Sequence, residues 1–171
     1  MSKILKSTIA TLMILGVTGC VSTSDIQIEK AQSEKVNLDG YKTYQFIADS
    51  GIVKSTKSTG ISKKINVSDE IEQMINSELA KKGKTPVSKN PDFFVAYLGG
   101  ADMDAVKSKL NKNGKKTIEK SPEAALVLML VDADSGSIIW MSTAEAEVKG
   151  GSADDFKKRL DYAIKKMLNG V

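Results

Sequence analysis

Residues Ala124–Val131 read AALVLMLV, an unbroken apolar run followed by Asp132-Ala133-Asp134-Ser135-Gly136 and then by the alternating stretch Ile138 to Val148. A run of this length suits either a strand covered on both faces or a buried helix, and the flanks decide between them. Asp, Ser and Gly supply turn chemistry, and period-two alternation marks a strand. Ile138, Trp140, Ser142, Ala144, Ala146 and Val148 fall on one face, with Glu145 and Glu147 on the other. Val131–Ile139 therefore predicts a β-hairpin turning at Asp134-Ser135-Gly136. Whatever else the chain forms must cover this apolar hairpin.

The rest of the chain supplies the cover. Tyr41–Ile47, aromatic and β-branched between Asp39-Gly40 and Asp49-Ser50-Gly51, reads as a strand, and Pro91-Asp92 opens another at Phe93–Leu98, apolar on both faces and closed by Gly99-Gly100. Ile26 and Ile28 alternate with polar neighbours and allow a short strand near the N-terminus. Val67, Ile71, Met74, Ile75 and Leu79 share one helical face; Asp69 and Glu70 suit the positive end of that helix, and Lys81-Lys82-Gly83 suits its other end. Ser152-Ala153-Asp154-Asp155 has the spacing of a capping box and precedes the stripe Phe156, Leu160, Ala163, Ile164, Met167 and Leu168. The expected fold class is α+β: a two-layer sandwich, with a mostly antiparallel sheet of about four or five strands and two helices packed on one face. If the first strands are parallel, the helix between them makes a right-handed crossover.

The N-terminus is of a different kind. Lys3 and Lys6 precede the apolar run Ile9–Val17, too short to span a bilayer and laid out as a secretory signal. The run ends in Val17-Thr18-Gly19-Cys20, which resembles the bacterial lipoprotein signal box. That resemblance implies cleavage between Gly19 and Cys20 and acylation of Cys20. Three parts follow: a signal peptide at 1–19, a flexible tether with a lipidated Cys at 20–37, and a single α+β domain at 38–171. The tether, rich in Ser, Thr, Glu, Lys and Gln up to Lys35, would reach ~20 Å. Several acyl chains hold a protein on a membrane. Val21 and Ser22 lack the Asp associated with inner-membrane retention, so the resemblance favours a periplasm-facing outer-membrane lipoprotein, with the periplasmic side of the inner membrane as the alternative.

Chemistry is scarce in the 171 residues. There is one Cys and no His, which removes an intramolecular disulfide, the usual general base and the commonest transition-metal ligand. Without Lys3 and Lys6 the positive excess over 21 acidic residues is too small to argue for nucleic acid. Asp132-x-Asp134-x-Gly136 has the start of a calcium loop, but Thr143 stands where the bidentate Glu belongs, so it reads as a turn. Gly150-Gly151-Ser152-Ala153-Asp154 lacks the last Gly of a nucleophile elbow, so Ser152 reads as a cap. Asp102/Asp104, Asp132/Asp134 and Glu145/Glu147 are carboxylate pairs of the sort glycoside hydrolysis needs, equally explained as solvated faces. Lys107, Lys109, Lys112, Lys115 and Lys116 are a candidate contact for an anionic surface. Trp140 reads as core. No cofactor, metal or catalytic residue is expected.

YKTYQF at Tyr41–Phe46, PDFFVAY at Pro91–Tyr97 and VDADSGSIIW at Val131–Trp140, followed by a polar strand and a terminal helix, resemble the domain of unknown function 4136 family over roughly Leu38 to Leu168. The chain departs from that pattern at Met141 and in the Lys-rich stretch between Gly100 and Pro122. The resemblance implies a bacterial, mostly lipoprotein, periplasmic domain and transfers no catalytic constellation. The expected function is a non-catalytic envelope lipoprotein, a binding or structural module that meets the membrane through its lipid and another envelope protein through its surface. The alternative is a lipid-anchored, carboxylate-dependent hydrolase or a small-ligand carrier.

Overall fold

The computed structural model describes residues 21–48, 50–53, 67–101, 123–148 and 150–171. Cys20, the signal segment, Asp102, Asp104 and the lysines Lys107, Lys109, Lys112, Lys115 and Lys116 lie outside the described residues. Strands β1 (Gln27–Gln32), β2 (Thr43–Phe46), β3 (Gly51–Val53), β4 (Thr85–Pro86), β5 (Phe93–Ala101), β6 (Glu123–Asp132) and β7 (Ile138–Glu147) form one sheet, ordered β1-β7-β6-β5-β2-β4 with β3 also on β5. The long strands β5, β6, β7 and the edge strand β1 pair antiparallel, while β2, β3 and β4 join in parallel. Helices α1 (Val67–Lys81) and α2 (Ala153–Met167) bury Ile71, Ile75, Leu79, Ala163, Ile164 and Met167 in the same cluster as Tyr44, Phe93, Val95, Tyr97, Leu128, Leu130 and Trp140. This is the two-layer α+β arrangement expected.

Seven strands correct the expectation of four or five. The additional ones are β3 and β4, with three and two residues; β1, the short strand allowed by the alternation of Ile26 and Ile28, forms at Gln27–Gln32 with its side chains almost wholly exposed. Their places come from backbone pairing, which side-chain patterning does not report. β1 also alters the expected 20–37 tether. Gln27 to Gln32 pairs residue for residue with Glu145 to Trp140, so the folded domain begins ahead of residue 38.

The hairpin forms as expected. Asp132 N–H donates to Ser137 O at 2.9 Å and Gly136 N–H to Asp132 O at 2.9 Å, with Gly136 at φ 67, a left-handed conformation that glycine adopts without strain. One inward position is corrected. A β-bulge between Leu130 and Val131 sets Val131 opposite Ile138 and Leu130 opposite Trp140, leaving Ile139 as the extra residue. Ile139 and Trp140 are both 2% exposed, whereas Ile138, expected inside, is 53% exposed. Strict alternation resumes at Trp140, so Ser142 and Ala144 point inward as read.

The second helix begins with the expected capping box. Asp155 N–H donates to Ser152 Oγ at 3.1 Å and Ser152 N–H to Asp155 Oδ2 at 3.1 Å. The first helix ends at Gly83, φ 72, where Lys84 N–H reaches back to Leu79 O at 3.0 Å.

Candidate binding cavity

Along the helix-facing side of the sheet, side chains shrink from one end to the other. Register places Trp140 beside Leu130 and Val95, then Ser142 beside Leu128 and Tyr97, then Ala144 beside Leu126 and Gly99, and finally Ala146 beside Ala124. The wide end is filled. Tyr44 stacks on Phe93 with ring centroids 5.6 Å apart, and Phe46 meets Tyr97 edge-on at 6.3 Å. The narrow end leaves space under the first turns of both helices. There a cavity of about 480 Å³ is lined by Ile26, Ile52, Ile71, Leu126, Phe156 and Leu160 over a floor of Gly99, Ala124, Ala144 and Ala146. The size lies within the range of small-molecule sites. The Gly99 floor is set by close approach: a Cβ there would lie 2.7 Å from Ile52 Cδ1 and 3.2 Å from Leu126 Cδ1.

One polar clamp borders this cavity. Arg159, on α2, donates to Asp25 Oδ1 at 2.9 Å and Oδ2 at 2.6 Å, to Glu147 O at 3.4 Å and to Ser22 O. Both partners of the pair are mostly buried, and hydrogen bonding to Asp25 holds the guanidinium firmly charged. The clamp draws the N-terminal segment against the helix, and Val21 and Ser22 thereby become part of the cavity wall. Spacing along the sequence does not show this contact, because Asp25 and Arg159 are far apart in the chain. The narrowing floor was legible, since Trp140, Ser142, Ala144 and Ala146 already decrease in size on one strand face.

The other candidates become structural parts. Asp132 Oδ2 accepts from Tyr41 Oη at 2.7 Å, and its Oδ1 accepts from Ser135 N–H at 2.7 Å and Ser135 Oγ at 2.6 Å. Those donors depress its pKa to about 2 and make it the keystone of the hairpin turn, while Asp134 lies exposed beside it. Asp92 accepts from the N–H groups of Lys42 and Thr43, both at 2.7 Å, and these bonds lower its pKa. Asp155 is lowered by Ser152 in the capping box. Ser152 is thus a helix cap and Trp140 a core residue, as read. Glu145 and Glu147 lie on β7, with Glu145 half-buried and Glu147 exposed. Among the described residues, no group of three or more His, Cys, Asp or Glu is placed to hold a metal ion.

Sequence reading missed a buried lysine. Lys84 is 4% exposed; its Nζ donates to Leu38 O and Tyr41 O, each at 2.9 Å, and lies 5.9 Å from the Phe93 ring centroid. Burial lowers its pKa, with Lys42 adding to the effect. Two phenols are likewise placed by burial: Tyr44, pushed up to about 12, donates to Asn76 Oδ1 at 2.6 Å, and Tyr97, also pushed up to about 12, donates to Glu72 Oε1 at 3.1 Å. Each fastens the sheet to α1.

Two helices over one face of an open sheet, with an apolar gap between the layers at one end, define a two-layer α+β domain. The chain belongs to the DUF4136 family, a domain of unknown function, whose sequence profile matches residues 28–170. That span takes in β1 from Ile28 onward. The fold is similar to the crystal structure of a DUF4136 family protein from Bacteroides thetaiotaomicron, with a TM-score of 0.60 and 13% identity over 85% of this chain and 95% of that one. A PelC dodecamer structure from Paraburkholderia phytofirmans gives a TM-score of 0.49 at 13% identity, covering 84% of this chain and 95% of that one. No curated protein sequence matches.

Proposed function

We propose that this chain is a lipoprotein of the bacterial envelope, held on a membrane by acylated Cys20, whose domain acts by binding and not by turnover. The observation that carries the reading is the contrast between the cavity and the carboxylates. The cavity is walled mainly by aliphatic and aromatic side chains, with Glu147, Asp155 and Arg159 the charged residues in its described lining. The carboxyl groups of Asp92, Asp132 and Asp155 are displaced downward, away from the range of a general acid. With no His in the chain, proton transfer near neutral pH would fall to a raised carboxylate or a lowered lysine. The one buried lysine described, Lys84, has its ammonium bound to two carbonyls.

Among the kinds of binding, the cavity favours a small apolar ligand, alongside an envelope-protein partner. The outer membrane facing the periplasm is the proposed site, from the residues that follow Cys20. Three measurements test the reading. Mass spectrometry of the mature N-terminus should find acylated Cys20; a free thiol or a different cleavage site rejects the anchor. The purified domain should capture an apolar ligand or an envelope protein and show no turnover in a broad hydrolase screen. Turnover abolished by one carboxylate substitution that leaves the fold intact would reject the binding reading.

A further inference from the structure

Val21 and Ser22 are in the cavity wall, and the chain behind them is held. Arg159 bonds Ser22 O and both oxygens of Asp25, Ile26 N–H closes a turn on Thr23 O at 3.1 Å, and β1 pairing starts at Gln27. Cys20 is joined to Val21 by one peptide bond, which separates successive Cα atoms by about 3.8 Å. A substituent on the Cys20 sulfur or amino nitrogen therefore starts at the cavity and not at the end of a long tether.

The cavity selects the kind of substituent. Ile26, Ile52, Ile71, Leu126, Phe156 and Leu160 provide no hydrogen-bond partners for water, and apolar cavities of this kind favour apolar occupants. Among the described residues the charged ones in the lining are Glu147, Asp155 and Arg159, and Arg159 is engaged by Asp25 and two carbonyls. The lining is thus acidic in balance and a poor seat for the carboxylate or phosphate of a free fatty acid or phospholipid. An alkyl chain delivered covalently, with no anionic head to place, fits both facts.

Resting on the reading of Cys20 as acylated, we propose that the interlayer cavity is the seat of an acyl chain carried by Cys20 of the same molecule. The domain then lies close against its membrane, its cavity end toward the bilayer, with one chain folded back into the protein.

The test uses the full-length protein in cells fed a diazirine-bearing fatty acid. Irradiation, purification in detergent and peptide mass spectrometry should show Cys20 cross-linked through its acyl chain to peptides carrying Ile71, Phe156 or Leu160. Ala146→Trp and Leu160→Trp, each filling the cavity from a different wall, should abolish that adduct while the circular dichroism spectrum is kept. Two substitutions guard against one failing to fold. Acylated Cys20 with adducts only on bilayer lipids, or only on residues 102–122, overturns the proposal and leaves the lipoprotein reading standing. Labelling of the same cavity peptides in a Cys20→Ser chain makes the occupant a free lipid and overturns it as well. An N-terminal mass without acyl chains removes the lipoprotein reading itself.

Discussion

At the residue scale, stability gathers on a few side chains that fill or fasten the wide end of the core. Trp140 is 2% exposed opposite Leu130, and Trp140→Ala should lower the unfolding free energy by ~3–5 kcal/mol, read from urea denaturation. Lys84→Ala removes the donor to two carbonyls beneath the Leu38–Gly40 turn. It should cost ~2 kcal/mol by the same measurement, because buried acceptors are left without partners. The carboxylates govern acid behaviour. Asp92 and Asp132 have folded pKa values below their unfolded ones, so at low pH the unfolded chain binds more protons than the folded chain. Their contribution is complete above the unfolded value of about 4 and is lost as pH falls toward the folded value, about 2 for Asp132. Thermal melting followed from pH 6 to pH 2 should show this decline, and Asp132→Asn should flatten it. An unchanged acid limb in that variant would contradict the role given to the Tyr41 and Ser135 hydrogen bonds.

At the element scale, β1 is held by its ladder with β7, by Ser142 Oγ–H on Glu29 O and Lys30 Nζ–H on Asn169 O, and by the Arg159–Asp25 clamp. Charge-assisted bidentate pairs are the stronger kind of hydrogen bond, and this one is mostly buried. Arg159→Ala should cost ~2 kcal/mol and make the segment around Asp25 the first point of cleavage in limited proteolysis. Cleavage unchanged from the native pattern would show that the β7 ladder and the Glu29 and Lys30 hydrogen bonds secure the strand without the clamp. Gly99 is the corresponding device at the cavity. Gly99→Val would drive branched carbon into Ile52 and Leu126, so a loss of ~1–3 kcal/mol is expected in urea denaturation, with crowding of the cavity. The bulge at Ile139 shows how one extra residue redistributes a strand: it buries two successive side chains and releases Ile138 to solvent.

At the scale of the whole molecule, the two faces of the sheet are unequal. One carries α1, α2 and the packed cluster; on the other, Phe94, Ala96, Leu98, Met129, Val131 and Met141 are half-buried. No helix among the described residues is long and apolar enough to cross a membrane. Membership in DUF4136 and the shared fold of the Bacteroides thetaiotaomicron protein identify the architecture and leave the activity to be read from the cavity. The cavity lies at the end of the domain where Arg159 clamps the N-terminal segment, so the proposed ligand site and the proposed anchor bear on the same end.

What the amino-acid sequence determined by itself is local. The β6–β7 hairpin, the capping box at Ser152 and Asp155, both amphipathic helices and the burial of Trp140 each follow from side chains within one or two turns of chain. Periodicity and turn chemistry act over that range. Family membership was legible for the same reason, since YKTYQF, PDFFVAY and VDADSGSIIW are contiguous. Only the tertiary structure decided that the short strand allowed at Ile26 and Ile28 forms the sheet edge on β7, the short β3 and β4, the burial of Lys84 and the Arg159–Asp25 clamp. Each depends on partners from distant segments: backbone groups of β7, β5 or β2, carbonyls of Leu38 and Tyr41, a carboxylate from the N-terminal segment. The cavity stands between the two. Its small residues are written along β5, β6 and β7, but that they coincide at one end follows from strand register, which is set by pairing across the sheet.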